Sequence, residues 1–484
     1  MNWLMDPDMI YPPIVVEFVY IQRIINLLFD DKRVLDGKNS VNNKKYEPGP
    51  WASVFISPVS SFVWVEEDTI ITFKGYKLML TPAEDKEYPA VYINLRTNFR
   101  SRNSEHSDRG INIILEFLSA YSWQSGQFFE IKGTGGGSFP FKQRGFDKYI
   151  PTSKIHFFDE VPEINDKQAL LALALRREAE SQQHPAFRFL SFYRIINLVF
   201  SNPIKQKEWI NNSLSSLDSH AQEKITELRK TETDIANYLY VSCRCAVAHA
   251  NTDNITINPD DYSDYKRLHR DMYIIEGLAD LVIEKEIGIK SSFTQSREHL
   301  FELKGFREAF SEELIEKTKG TDEIEEGLFP VLPNISIRLR GKRKFELLEN
   351  LNTHILGYGK GMVIVQCYSG EKRFNCLLYL NFAEERLQSN WFDDKNLFLY
   401  DDGTSKSVGY LVDFLEFQRE YFGSGILEVW DYINNKLLGR CDAFLPVNCM
   451  VNVDFYRVRI EEAQLEKERR FQEEKKLSAH LGDL

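Results

Sequence analysis

Apolar residues in the first third of the chain follow strand-like patterns. Runs rich in Val, Ile, Phe and Trp occur at 53–56, 62–65, 69–73 and 91–95. Between 110 and 123 the apolar spacing changes to three and four, which is typical of a helix with one buried side. The pattern predicts an N-terminal α+β domain over residues 1–160.

The pattern becomes helical after about residue 165. Amphipathic segments at 167–182, 186–201, 205–217, 221–250 and 261–288 are separated by short breaks at Pro185, Pro203 and Pro259. Sequential helices with short connections pack naturally as an up-and-down bundle. We therefore predict an all-α helical bundle over residues 165–290.

Strand patterns return in the last third of the chain. Residues 291–334 are charged and weakly patterned, and two prolines within 327–334 favour an extended linker. Strands are predicted at 335–339, 362–367, 374–380, 397–400 and 426–431, with helices near 342–356 and 408–421. The fold class predicted is multidomain α+β: a central all-α bundle between an N-terminal and a C-terminal (335–455) α+β domain.

Residues 456–484 form a charged terminal helix in this scheme. Glu466 has Arg469 and Arg470 at helical neighbour spacing. Such charge patterning fits a solvated helix, and a helix that binds a protein partner is the alternative.

Composition narrows the possible functions. The net charge of −12 and the pI near 5.4 argue against a broad basic surface that coats nucleic acid, so any RNA contact must be local. Six sparse cysteines show no paired framework, which fits reduced thiols in a cytoplasm. Acidic and basic residues interrupt the apolar stretch 1–29, so we predict no targeting segment and no membrane anchor.

Two further patterns predict no binding site. The stretch 133–138 is rich in glycine but lacks the Gly-Lys-Ser/Thr end of a phosphate-binding loop, and it predicts a flexible turn. Cys243 and Cys245 would lie roughly 160° apart on a helix, so they cannot share one metal ion. The scattered histidines show no metal-ligand spacing; they are His106, His156, His184, His220, His299, His354 and His480.

The predicted helix 221–250 carries the strongest candidate residues. Ile235, Leu239, Cys243 and Ala246 form a buried stripe, whereas Arg244 points away from it among apolar neighbours and needs an anionic partner. His249 follows five positions later, about 140° around a regular helix. The two side chains converge if the helix loosens at 250–251, or if a second copy supplies half of the site.

The segment Arg244-Cys-Ala-Val-Ala-His249 resembles the R-x4-6-H motif of HEPN domains, and its wording is similar to bacterial HEPN-like proteins labelled MauJ. The resemblance covers the central quarter of the chain. It implies an endoribonuclease that works as a homodimer through the helical bundle, with Arg244 and His249 of both copies lining one cleft. It implies neither a metal nor a cofactor.

Those residue types suit RNA cleavage. An imidazole with a pKa of about 6.5 can take the proton of a ribose 2′-OH or return one to the leaving 5′-oxygen. A guanidinium can grip two oxygens of the charged phosphorane. The products would then carry 2′,3′-cyclic phosphates.

A basic and aromatic cluster begins the next predicted helix and could bind RNA. Aromatic faces stack on bases, and cations hold phosphates. Arg176 and Arg177 could add to the cluster from the first helix, while an exposed helix face with core tyrosines is the alternative. The RNA-binding candidates are Tyr265, Lys266, Arg267, His269, Arg270 and Asn251, with Tyr262 beside them.

Two functional hypotheses follow. The first is a cytoplasmic endoribonuclease that acts in bacterial antiphage defence, abortive infection or a toxin-like system, with flanking domains that sense a trigger or restrain the nuclease. The second is a non-catalytic dimerisation scaffold or adaptor, favoured by Cys245 where active HEPN domains often have a polar residue. In a third reading, Arg244 and His249 pair with Glu232, Asp234 or Asp253 and only brace the bundle.

Overall fold

The structure is a computed structural model, and it describes most of the chain from residue 49 onward. The described residues are 49–59, 62–84, 86–100, 106–146, 148–153, 156–249, 256–320, 328–370, 373–389, 391, 397–423, 425–442 and 453–482. The expectations for 1–29 and for Asn251 lie outside them. The chain divides into two compact units, one ending at Ser292 and the other beginning at Phe293.

An antiparallel sheet opens the first unit. Its strand order is β3-β4-β5-β1-β6. Two further short strands, β2 and β7, pair in parallel with each other. Successive side chains of a strand point to opposite faces. Val54 and Ile56 accordingly join the core formed with Phe117 of the long helix α2, whereas Trp51 and Phe55 pack on the other face. The elements are β1 Trp51–Pro58, β2 Trp64–Val65, β3 Thr69–Phe73, β4 Tyr76–Thr81, β5 Ala90–Asn94, α1 Leu95–Phe99, α2 Ser107–Ser125, β6 Phe129–Gly137 and β7 Thr152–Ser153.

The glycine-rich stretch predicted to be a turn is instead part of β6, and this prediction was wrong. Gly135 and Gly136 pair with Ser53 and Ala52 of β1. A Cβ on Gly135 would lie 3.1 Å from the Ser53 hydroxyl, and one on Gly136 would lie 2.9 Å from the Trp51 carbonyl. The glycines are therefore needed for close strand approach, which their local pattern does not reveal.

Helices fill the rest of the first unit and share one hydrophobic core with the sheet. Leu173 of α3, Phe189 of α4 and Ile275 of α9 belong to the same buried cluster as the β1 and α2 residues. The helices are α3 Lys167–Ser181, α4 Pro185–Val199, α5 Pro203–Ser213, α6 Ser219–Leu228, α7 Ile235–Tyr238, α8 Ala246–Ala248 and α9 Tyr262–Leu281, with π-helical segments at Leu239–Cys245 and Val282–Glu286.

The second unit begins with three short helices, although an extended linker was predicted there. Leu303, Phe306, Phe310 and Ile315 are buried in its core, so this segment is held by packing. The prediction of a helix near 342–356 was also wrong. These residues contain only a 3-10 turn, Glu346–Leu348, and the beginning of a strand, Asn352–Gly359. The helices are α10 Ser292–Arg297, α11 Lys304–Ala309, α12 Glu312–Lys319, α13 Ser405–Phe422 and α14 Val453–Gly482.

Two sheets complete this unit. One has the order β12-β11-β10-β9 with β13 also paired to β11, and the other has the order β15-β14-β8. The strands are β8 Ile335–Leu339, β9 Asn352–Gly359, β10 Met362–Tyr368, β11 Phe374–Asn381, β12 Arg386–Ser389, β13 Leu397–Leu399, β14 Ile426–Asp431 and β15 Lys436–Asp442.

The terminal helix α14 is anchored on the start of α13. Arg470 pairs with Asp401 at 2.6 Å, and Glu474 accepts a hydrogen bond from the Ser405 backbone N–H at 2.6 Å. Tyr456 and Ile460 are buried in the core of the unit. Part of the predicted solvated helix is therefore a packed element.

The fold is mixed α+β, with helices in the middle of the chain and β-rich regions towards each end, as predicted. Within the described ranges, no helix combines the length and apolar character needed to cross a bilayer.

Candidate functional site

The residues 221–250 do not form one helix. The helix α6 ends at Leu228, and a second one starts at Ile235, capped by the Asp234 carboxylate, which accepts from the Asn237 backbone N–H at 3.0 Å. From Ile235 the backbone is α-helical, then π-helical over Leu239–Cys245, then α-helical to Ala248. We call Ile235–Ala248 the motif helix. The π-helical segments of other proteins are frequent at functional sites.

Arg267 of α9 braces this π segment. Its Nη1 donates to the Ser242 carbonyl at 2.9 Å, and its Nη2 binds Asp264 at 3.1 Å. Arg267 is predicted to bind RNA from the sequence, yet the structure shows its guanidinium engaged within the bundle. Its contacts with Ser242 and Cys243 join residues 24 or more positions apart, so helical spacing alone could not reveal them.

Asp271 fixes the same region from beneath. It is completely buried and accepts from the Tyr238 hydroxyl at 2.6 Å and from Arg270 Nε at 2.8 Å. Burial and the Asp271 charge raise the pKa of Cys243 to about 12, so this thiol stays protonated at neutral pH. Sequence reasoning missed Asp271 because an acid inside an amphipathic stretch resembles any solvated residue.

Arg244 lies on another side of the motif helix, beside Tyr240 and near Tyr193 of α4. It is half-buried, and its guanidinium lies 5.8 Å from the Tyr240 ring while Nη1 contacts Cys245 Sγ at 3.7 Å. Its Nε is buried without a hydrogen-bond partner. Among the described residues Arg244 forms no ion pair, and the suggested partners Glu232 and Asp234 do not bind it; Asp253 lies outside those residues.

A second cation lies on the same aromatic ring. Lys207 Nζ of α5 is 5.7 Å from the centroid of Tyr240 and 3.3 Å from the Asn237 side-chain oxygen. Tyr193 of α4 packs 6.3 Å from Tyr240; burial raises the pKa of its hydroxyl, while Arg244 opposes that rise. We call Arg244, Lys207, Tyr240 and Tyr193 the Tyr240 cluster. Lys207 gave no signal in the sequence, because it lies on an ordinary amphipathic helix.

His249 is the first residue after the motif helix. Its backbone is extended, with φ −126° and ψ 108°, and its side chain is exposed. The helix thus ends at Ala248, two residues before the predicted loosening at 250–251. The 140° separation of a regular helix no longer applies between Arg244 and His249, since Arg244 lies in the π segment and the backbone of His249 is extended.

The other RNA-binding candidates line an open groove between α6 and α9, here called the α6–α9 groove. Its volume is about 570 Å³. Tyr265 and His269 have near-parallel rings 6.3 Å apart, and Tyr273 stands beside His220 in the same manner at 6.4 Å. The lining residues are His220, Glu223, Lys224, Tyr262, Tyr265, Lys266, His269, Arg270 and Tyr273.

The candidates therefore separate into two groups. Arg244 lies on the Tyr240 ring and acts electrostatically on Tyr193 of α4, whereas Tyr265, Lys266, His269 and Arg270 line the α6–α9 groove. The expected contribution of Arg176 and Arg177 is not found. Arg176 is buried on carboxylates, and Arg177 Nε donates to the Ser119 hydroxyl at 3.0 Å.

Arg176 belongs to a buried ionic cluster between α3, α4 and α9. It binds Glu180 at 2.6 Å and Asp280 at 3.0 Å, and Arg188 binds Glu180 at 2.7 Å and Glu276 at 3.2 Å. Three carboxylates thus face two guanidiniums. Burial and the nearby Glu180 charge raise the pKa of Glu276 to about 7.

This cluster predicts a pH-dependent stability. Between about 4.5, its ordinary pKa, and about 7 Glu276 holds a proton only in the folded protein, so rising pH through this window lowers the free energy of unfolding. Glu276→Gln should remove about 2 kcal/mol of this pH dependence, allowing for partial solvent exposure. Urea unfolding at about pH 5 and about pH 8 measures it. Glu178→Gln, exposed on α3, is the matched control, and an unchanged slope in Glu276→Gln would contradict the assignment.

Across the part of the chain that the structure describes, no group of three or more His, Cys, Asp and Glu side chains could hold a metal ion.

Comparison with known proteins gives one match. Neither the curated proteins nor the solved structures contain a match to this chain. Residues 172–284 match the family described as methylamine utilization protein MauJ, which is less than a quarter of the chain. The matched range runs from α3 into the second π segment and includes the motif helix, the Tyr240 cluster and the α6–α9 groove. The middle of this chain is therefore similar to MauJ, and the match supports a MauJ-like domain there.

Proposed function

We propose that the central helices form a HEPN-type bundle and that the protein is a metal-independent endoribonuclease acting through Arg244 and His249. The state of Arg244 carries this proposal. A guanidinium with a buried, unpartnered Nε and no described carboxylate is ready for an anion. Lys207 adds a second positive charge on the same ring, Tyr240.

The proposed chemistry assigns one role to each side chain. Arg244 binds the scissile phosphate and stabilises the charge that develops on the phosphorane. His249, at the exposed end of the motif helix, moves the proton between the 2′-OH, the leaving 5′-oxygen and solvent. Lys207 contributes a compact charge that attracts the RNA backbone.

We further propose that two copies associate through the motif helix. Val241, Ala248 and His249 are exposed on or just after it, and Val241 leaves 39% of its surface open. A twofold contact here would cover these residues and bring two Arg244 and two His249 side chains to one cleft. Cytoplasmic action in bacterial antiphage defence or a toxin-like response, controlled by the β-rich regions, belongs to the same proposal.

A non-cleaving adaptor is the second candidate. The observation in its favour is the contact between Arg244 and Cys245, in which a weak sulfur acceptor stands beside the guanidinium instead of a polar side chain. In that case the bundle would join two copies while the rest of the chain binds a protein or a small ligand.

Product analysis separates the two candidates. Purified protein is incubated with single-stranded RNA in excess chelator, and fragment ends are identified by mass spectrometry. The expected fragments carry 2′,3′-cyclic phosphate and 5′-hydroxyl ends, and light scattering should give twice the 56.5 kDa chain mass. The Arg244→Ala/His249→Ala protein, purified in parallel, controls for contaminating nuclease. Intact RNA, or cleavage equal to that of the control, would contradict the nuclease proposal and favour the non-cleaving adaptor.

A further inference from the structure

The exposed aromatic residues of α9 form a stripe outside the core. Tyr262, Tyr265, His269 and Tyr273 recur at three or four positions, which places them on one helix face. The tyrosines leave 70%, 40% and 48% of their surfaces open. Buried residues of α9, including Leu268, Met272 and Ile275, occupy the other side. These tyrosines are therefore not core residues, which was the alternative interpretation of the sequence.

Cations accompany this stripe on both walls of the α6–α9 groove. Lys266 Nζ lies 4.9 Å from the Tyr262 ring and makes no ion pair with a described residue. Lys224 stands on the α6 wall with a long contact to Glu227, 3.8 Å. Glu223 is the acid among the lining residues, so the groove carries a local excess of positive charge on an acidic protein.

We propose that the α6–α9 groove binds unpaired bases of single-stranded RNA, apart from the cleavage site at Arg244. The inference rests on the proposed function for RNA as the ligand, whereas the groove is defined by its own contacts. Exposed tyrosine and histidine faces stack on bases, and Lys266 and Lys224 hold the phosphates between them.

The dimensions fit a short single strand. From Tyr262 to Tyr273 the helix rises by about 16 Å, enough for about three splayed nucleotides. Duplex RNA keeps its bases inside the helix, where these rings cannot reach them. The groove therefore selects RNA for being unpaired, and sequence preference is expected to be weak.

Binding and cleavage occupy different sides of the motif helix. Arg244 and Tyr240 face α4 and α5, while Tyr238 on the same helix faces Arg267 and Arg270 of α9. Holding a strand in the groove is therefore separable from cutting it.

Fluorescence anisotropy of labelled oligouridylate tests the groove. The full chain carrying Arg244→Ala/His249→Ala is used, so that the RNA stays intact whether or not the wild type cleaves it. Adding Tyr265→Ala/His269→Ala should weaken binding at least tenfold, since each base-stacking ring contributes a several-fold to hundredfold effect. Adding Tyr265→Phe should preserve binding, because the ring face is kept.

The controls separate this inference from the nuclease proposal. Tyr149→Ala removes a tyrosine that is 88% exposed outside the groove and should leave the dissociation constant unchanged. Oligodeoxyuridylate and duplex RNA test the sugar and the pairing, and duplex RNA should bind much more weakly. Equal binding with and without Tyr265→Ala/His269→Ala, or duplex RNA binding as tightly as single strands, would overturn the groove assignment. If the wild-type protein does not cleave RNA, only the nuclease proposal is overturned.

Discussion

Arg244→Ala should lower the rate of RNA cleavage by about a hundredfold to a thousandfold, the usual cost of removing one group that stabilises a transition-state charge. The loss should appear in kcat more than in KM, because the guanidinium acts mainly on the charge that develops during the reaction. Folding should change little, since within the described residues Arg244 forms no ion pair and contacts only a weak sulfur acceptor and the Tyr240 ring.

Arg244→Lys distinguishes the guanidinium from its charge. Lysine keeps the positive charge near Tyr240 but cannot present two parallel N–H groups to a phosphate. We expect activity between those of the wild type and Arg244→Ala. Full activity in Arg244→Lys would mean that Arg244 contributes general attraction for RNA and no specific grip on the scissile phosphate.

Arg194→Ala is the matched control for both variants. Arg194 is an exposed arginine on α4, next in sequence to Tyr193 of the Tyr240 cluster. Its replacement by alanine removes the same charge as Arg244→Ala does. Its rate should stay within a few-fold of the wild type, as expected for a screened surface charge. If Arg194→Ala and Arg244→Ala lowered the rate equally, the effect would be one of net charge and the assigned site would be wrong.

The elements predicted correctly are those that residues within their own segment specify. The helices α3, α4 and α5 appear close to their predicted ranges because apolar spacing and capping residues such as Asp166 and Asn202 lie within each segment. The break between α6 and the motif helix was missed although residues 229–234 are all polar, because Leu228 and Ile235 are seven positions apart and so keep a helical spacing across it, while Asp234 starts a new helix. The strand β9 was taken for a helix because its partner, β10, decides its structure.

The candidate site shows the same division. Arg244 and His249 could be selected from spacing and from a resemblance, whereas the π segment that carries Arg244 could not. That segment is held by Arg267, a residue far along the chain whose side chain looked suited to RNA. Lys207 reaches Tyr240 through the packing of α5 on the motif helix, which again is long-range information. Spacing therefore identified the charged residues but could not separate those that bind ligand from those that brace the fold.

Asp271→Ala should lower the free energy of unfolding by about 2–4 kcal/mol. The variant removes a fully buried acceptor and leaves the Tyr238 hydroxyl and the Arg270 guanidinium without their shared partner. Arg270 is 31% exposed and can turn towards water, which keeps the expected cost below that of a wholly buried pair. Urea unfolding compares Asp271→Ala with Asp260→Ala, an exposed aspartate just before α9.

The location of this loss is as informative as its size. Tyr238 begins the turn that leads into the π segment, so its release should loosen the motif helix before the sheet or the second unit. Hydrogen exchange should therefore rise in peptides covering Ile235–Ala248 and stay unchanged in those covering β10 and β11. Cleavage should fall with it, although Asp271 touches neither Arg244 nor His249, because Arg244 depends on the backbone that Asp271 holds. If exchange rises evenly over the first unit while the motif helix shows no excess, Asp271 is a general core residue and does not position the site.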